Sequence, residues 1–316
     1  MYYKYMNNRS SSLSTYTYII LCLCLLSGPL YSQAPQTEWF VSATGDDQLD
    51  GTWGLDLASV QRAISLIRRA YAAQPFDTAT INIHGMIRNY GPDATDIAMV
   101  TLRGGGLPAI IFRGESTGSG LDAGGRLMVL YIENTRHVTV ENLIITGGYA
   151  NIGGGAMIIS NSFTLGPGGV IEGNTATSFG GGLSVWVGDL TISGGTRIAN
   201  NTAANGGGLG IAESQARIHG DAIIEGNTAN ENGGGIQIQN SNRLTIEDGA
   251  IIRGNIAGIS GGGIISIRSP IVINGARIEG NRALRGGGIL IDRLANLNQE
   301  GGVITGNTPS DVEEGT

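Results

Sequence analysis

The sequence predicts an all-β chain: a right-handed parallel β-helix with three short strands per coil and an N-terminal capping helix. Three features predict it, a glycine triplet, an asparagine and an isoleucine, each returning about every 25–28 residues. Gly-Gly-Gly begins at 153, 180, 206, 233, 261 and 286. Asn174, Asn201, Asn227, Asn255, Asn281 and Asn307 keep the same interval. Three positions before them stand Ile171, Ile198, Ile224, Ile252, Ile278 and Ile304.

One unit thus reads Ile-x-(Gly/Asn)-Asn, a few small polar residues, Gly-Gly-Gly and an alternating strand. The first and third residues after the glycines are Leu183/Val185, Leu209/Ile211, Ile236/Ile238 and Ile289/Ile291, with Ser266 interrupting the third place. Another apolar piece lies between, as in Leu190-Thr191-Ile192, Leu244-Thr245-Ile246 and Ile271-Val272-Ile273. Helical repeats require long glycine-free runs at a 3.6-residue period, and none occurs within the repeated units. Propeller blades are longer and carry four antiparallel strands. Three short strands per unit fit one coil of a parallel stack, each strand about 4.8 Å from its counterpart. The crossover rule for parallel strands makes the coil right-handed.

The repeated residues acquire physical tasks. Inward isoleucines form an aliphatic stack, each worth roughly 1.5–3 kcal/mol when buried. The asparagines form a ladder at a bend, with amides bonding from coil to coil. Glycine permits positive φ and close approach of neighbouring turns. Two residues before each asparagine the outward column reads Glu172, Ala199, Glu225, Arg253, Glu279 and Thr305. Glu225, Arg253 and Glu279 are expected as opposite-charge neighbours on a solvated face.

The chain divides into residues 1–32, a secretory signal; 33–100, the cap and first coil; 101–308, the β-helix; and 309–316, an acidic C-terminal tail. The signal has Lys4 and Arg9 before the apolar run from Tyr18 to Leu26, with cleavage expected after Ser32. That run is too short to span a bilayer. Cys22 and Cys24 lie in it, but lipoprotein processing requires a small residue before the cysteine, and Leu23 precedes Cys24. Removal of the signal leaves no cysteine, so the core alone must hold the mature fold. The mature chain also has no lysine, and 17 Arg oppose 26 Asp and Glu, a net charge of −9. This balance argues against nucleic acid and against a polybasic membrane anchor. The 53 glycines cluster rather than falling at every third place, which excludes collagen, and an apolar share of 41% excludes disorder.

In the cap, Trp39-Phe40-Val41 reads as a strand and Asp56 to Tyr71 as a helix with Asp56 as N-cap. Its apolar face is Leu57, Val60, Ile64, Ile67 and Tyr71, suited to covering the open end of the first coil. Irregular strands follow at Ile81–Ile83, Ala109–Phe112, Met128–Ile132 and Val138–Val140, with Leu121-Asp122-Ala123-Gly124-Gly125 read as a turn.

The units Ile-Glu-Gly-Asn-Thr-Ala…Gly-Gly-Gly-Leu (171–183) and Ile-Glu-Gly-Asn-Thr-Ala…Gly-Gly-Gly-Ile (224–236) resemble the repeats of the polymorphic outer-membrane protein family. That family is marked by Gly-Gly-Ala-(Ile/Leu/Val) and Phe-x-x-Asn; here Gly mostly replaces Ala, Gly155-Ala156 partly retains it, and Ile replaces Phe. The segment Phe40-Val41-Ser42-Ala43-Thr44-Gly45-Asp46-Asp47 through Gly51-Thr52 resembles the cap of the wider pectate-lyase-like β-helix group. Together the resemblances cover most of residues 38–308. They imply an extracellular or cell-surface, outer-membrane-associated passenger, often adhesive. Members of the outer-membrane family end in a transmembrane barrel. After Asn307 the sequence leaves no room for a series of ~10-residue barrel strands, so no transmembrane span is expected in the mature chain.

The function expected is therefore a secreted or cell-surface, non-catalytic, adhesin-like or structural binding module, with glycans or host and surface proteins as partners. The alternative is a carbohydrate-active enzyme (polysaccharide lyase, hydrolase or epimerase) on the same fold. Such enzymes cluster carboxylates for Ca²⁺ or acid/base work and set Arg or Lys against the uronate. No such cluster is legible, so no catalytic, cofactor-binding or metal-ligating residue is singled out. His84, His137 and His219 are scattered and read as surface or turn residues. Asp46, Asp47 and Asp50 lack the alternating spacing of a calcium loop and read as a turn. Trp186, with Tyr149 or Phe179, could form a sugar platform or simply pack. Thr175, Thr202 and Thr228 begin a flat threonine array that Ile256 and Arg282 interrupt.

Overall fold

The computed structural model describes residues 34–52, 54–88 and 97–315. The signal expected at 1–32 lies outside them. The described fold belongs to the unit Gln36–Thr316.

The chain winds through about eight coils as a right-handed parallel β-helix. Among the described residues, the first face carries ten strands, from Glu38–Ser42 to Leu297–Gln299. The second face carries nine, from Met86–Ile87 to Val303–Thr305, and the third nine, from Ala98–Arg103 to Val312–Glu314. Five middle coils add a short fourth strand between the second and third faces: Tyr149–Ile152, Thr175–Phe179, Thr202–Asn205, Thr228–Asn232 and Ile256–Ala257. Threonine, alanine and asparagine dominate these, and the register slips within several of them. They therefore lack the aliphatic alternation that betrays the other strands.

Repeat spacing translates directly into register. Ile171, Ile198, Ile224, Ile252, Ile278 and Ile304 are successive partners on the second face. All but the last, which is half-buried, are fully buried in one aliphatic core. Ser266 is tolerated inside that core because its hydroxyl donates to the Ser269 carbonyl.

The asparagine ladder is continuous. Asn227, fully buried, donates from Nδ2 to the Ile198 carbonyl and to Asn255 Oδ1, both at 3.0 Å. Its own Oδ1 accepts the backbone N–H and the side-chain amide of Asn201, both at 3.0 Å. A second polar file follows the turn from the third face to the first, where the backbone N–H groups of Gly188, Ser214 and Ser241 donate to the hydroxyls of Ser214, Ser241 and Ser269.

The glycine triplet turns the chain from the fourth strand to the third face. At Gly180 φ is +68°, and a Cβ on Gly181 would stand 2.4 Å from the Gly207 carbonyl oxygen of the next coil. A side chain is therefore excluded twice, by conformation and by space.

The capping helix α1 (Val60–Ala73) begins later than the sequence suggested. Its N-cap is Ser59, not Asp56; the Ser59 hydroxyl accepts from Arg62 N and donates to the Asp47 carboxylate at 2.8 Å. The cause is strand pairing at Leu57, whose N–H donates to the Phe40 carbonyl while its own carbonyl accepts from Ser42. That extended backbone cannot be helical. Val60, Ile64 and Ile67 face the core as expected and Ala63 joins them, whereas Tyr71 is only partly buried and meets Phe76 edge-on at 5.6 Å.

Two further assignments change. Residues 120–122 form a second-face strand, Gly120–Asp122, because Leu121 is a core residue; the turn begins after it. Within the expected acidic tail, Val312–Glu314 pairs with Ile289–Ile291 and extends the third face.

Candidate functional site

On the third face, the second and fourth residues after each glycine triplet point away from the core. From the first triplet to the last these are Met157/Ile159, Ser184/Trp186, Gly210/Ala212, Gln237/Gln239, Ile265/Ile267 and Leu290/Asp292. Beside them runs a second file from the fourth-strand ends, Phe179, Asn205 and Asn232. The triplet bend folds this file over the third face. A Cβ on Gly210 would lie 2.4 Å from the Phe179 ring, so Phe179 rests over that glycine.

Phe179 and Trp186 meet edge to face, with centroids 6.4 Å apart and planes at 87°. Phe179 is 7% exposed, whereas Trp186 is 36% exposed and donates its indole N–H to Ser184 Oγ at 3.0 Å. Tyr149 does not join them. It heads a column on the fourth strand, followed by Thr175, Thr202, Thr228, Ile256 and Arg282 in register. The threonine file and its interruption thus stand where the sequence placed them.

Amides continue the strip beyond the aromatics. Asn232 donates to Asn205 Oδ1 and Asn205 to Glu231 Oε2, each at 3.0 Å. Gln237 donates to Gln239 Oε1 at 3.2 Å, and its own buried Oε1 accepts no hydrogen bond from the described residues. At the N-terminal end of the face, the Arg103 guanidinium lies 4.9 Å from the Tyr131 ring centre and pairs with Glu133. Ser184, Gly210, Gln237 and Gln239 were not singled out from the sequence. Their signal was present in the even-numbered places after each triplet, but small and amide side chains carry no motif.

Val187, directly after Trp186, has φ +54° and is exposed. Its equivalents at this turn include Ser160, Glu213, Asn240 and Arg268, all left-handed. Valine alone among these is β-branched, so the strain is concentrated beside Trp186.

The charged second face behaves differently. Arg197 joins Glu172 and Glu225, each at 2.7 Å, and Arg253 closes on Glu225 from the next coil at 2.7 Å. The Arg197 hydrogen bond holds the Glu225 carboxyl below its ordinary pKa, with Arg253 adding to it. Glu279 instead pairs with Arg277 of its own strand. These groups flank a wide shallow groove, and their charges are spent on one another.

The histidines lie on separate coils. His84 is 4.0 Å from Glu115, and His219 is half-buried at a strand end. The His137 ring sits between hydroxyls, Nδ1 at 2.9 Å from Ser162 and Nε2 at 3.2 Å from Thr164, and burial lowers its pKa. Both nitrogens are therefore engaged by hydroxyls. In the cap loop, Asp46 and Asp50 bond the backbone N–H groups of Gln48 and Thr52, while Asp47 holds Ala58 and Ser59. Among the described residues no group of three His, Cys, Asp or Glu is placed to hold a metal ion. None of the described helices is long and apolar enough to cross a membrane.

Fold and site together define a parallel β-helix bearing an aromatic and amide-lined strip on one outer face. No family model matches the chain, and no curated protein or solved structure matches it significantly.

Proposed function

We propose that this chain is a secreted or cell-surface, non-catalytic, adhesin-like module whose binding surface is the outer strip of the third face. The observation that carries the proposal is the Phe179–Trp186 pair, an aromatic contact held outside the core on a rigid stack. Export is supported by the charged-then-apolar N-terminus, and the surface setting by the repeat's resemblance to polymorphic outer-membrane proteins. A solenoid presents such a strip without loop ordering, which lowers the entropic cost of binding an extended ligand.

The test is an array of glycans and matrix proteins probed with the mature chain and with Trp186→Ala. Binding that falls with the variant supports the proposal. Binding indifferent to Trp186 removes the third face from it, and cleavage of any arrayed glycan by the purified chain replaces the module with an enzyme.

A further inference from the structure

We infer that the ligand of the third-face strip is an uncharged polysaccharide lying along the stack, one ring on Trp186 and hydroxyls on the Gln237 and Gln239 amides. The inference rests on the functional reading above and narrows it to one ligand chemistry.

Charge decides first. From Ser184 and Trp186 to Ile265 and Ile267, the eight outward residues of the strip carry no charge. Beside it, Glu231 accepts from Asn205, Arg285 is paired with Glu313, and Arg103 with Glu133. At the turn beyond, the Asp292 carboxylate accepts the Arg268 backbone N–H at 2.9 Å, which sets an opposite charge beside that arginine. A polyanionic chain would lose hydration along the strip and find no cation within it. A neutral chain loses little.

The side chains then fit sugar hydroxyls and ring faces. The indole N–H is already bonded to Ser184, so Trp186 offers a ligand its π-face, the surface that packs on the C–H face of a pyranose. Ala212, its register partner, keeps the surface low beside the indole. Gln237 is 6% exposed, and its Oε1 lacks a donor among the described residues. An unpaired buried acceptor is costly, and an amide rotation that brings this oxygen to the surface would let a ligand hydroxyl pair with it. Trp186 and Gln239 are two coils apart, about 10 Å at the spacing of neighbouring strands. That distance spans about two sugar residues of an extended chain.

The experiment titrates the full chain with a soluble β-glucan, a mannan, polygalacturonate and alginate, following binding by isothermal calorimetry at low and at high salt. The expected result is saturable binding of a neutral polymer, insensitive to salt and weakened roughly tenfold in Trp186→Ala. Gln237→Leu should weaken it severalfold, and Trp186→Phe should retain part of it, which separates ring stacking from loss of fold. Salt-sensitive binding of a polyanion, or of a matrix protein alone, through Trp186 would overturn this inference and leave the adhesin reading standing. Failure of every ligand to respond to Trp186→Ala would overturn both.

Discussion

The Asp311 carboxylate accepts two hydrogen bonds from Asn307, one from its backbone N–H at 3.0 Å and one from its side-chain amide at 2.8 Å. Elsewhere in the ladder that position belongs to the asparagine of the following coil; Asn281, for example, gives the same two bonds to Asn307 Oδ1. Asp311 therefore closes the file, four residues along the chain rather than one coil away. Asp311→Ala should cost about 1–3 kcal/mol and loosen the last coil, read as faster amide exchange at Asn307. Asp311→Asn keeps an acceptor oxygen and should recover most of the loss.

In mid-ladder the same argument gives a larger effect. Asn227→Ala would take the acceptor from both Asn201 donors and one donor from the Ile198 carbonyl in a dry interior, while Asn255 Oδ1 would keep only the backbone N–H of residue 227. The expected cost is about 3 kcal/mol by chemical denaturation. An unchanged midpoint would mean that the ladder adds nothing to stability.

Val187 provides a gain instead. Its φ of +54° is unfavourable for a β-branched side chain but common for asparagine, which already occupies the equivalent place at Asn240. Val187→Asn should raise stability by about 1 kcal/mol, measurable as a higher Tm.

Gly210 underlies the aromatic contact. Adding one methyl group there meets the Phe179 ring at 2.4 Å. Gly210→Ala should lift Phe179 away from Trp186, red-shifting the tryptophan emission and weakening ligand binding while the strand content, read by circular dichroism, stays the same.

Glu225 makes stability depend on acid. Its folded-state pKa is depressed below the ordinary 4.5, chiefly by the Arg197 hydrogen bond. The stabilisation is therefore complete above the ordinary value and is lost as pH falls through the folded one. Urea midpoints measured downward from neutral pH should decline less steeply in Glu225→Gln than in the parent.

The coil period, the inward isoleucines and the asparagine file were legible because each is a one-dimensional pattern with a single physical task. Helix α1 was legible by its apolar face, but its start was not. Asp56 and Ser59 are equally good caps in isolation, and only the pairing of Leu57 with Phe40 and Ser42 chose between them. Trp186 could be noticed in the sequence, yet its partner could not: Tyr149 and Phe179 were equal candidates.

By itself, then, the sequence determined that the chain coils, where each coil begins, and which residues enter the core. Burial and β-pairing repeat with the chain, so their signal is periodic. Only the tertiary structure decided that Phe179 folds across Gly210 to meet Trp186, that the Gln237 acceptor is left unpaired, and that Asp311 ends the ladder. Phe179, Gly210 and Trp186 meet across coils and a glycine bend, whereas Asp311 reaches back to Asn307 through a turn of four residues. Their geometry depends on how the chain turns in space, which side-chain type and spacing along one dimension do not encode.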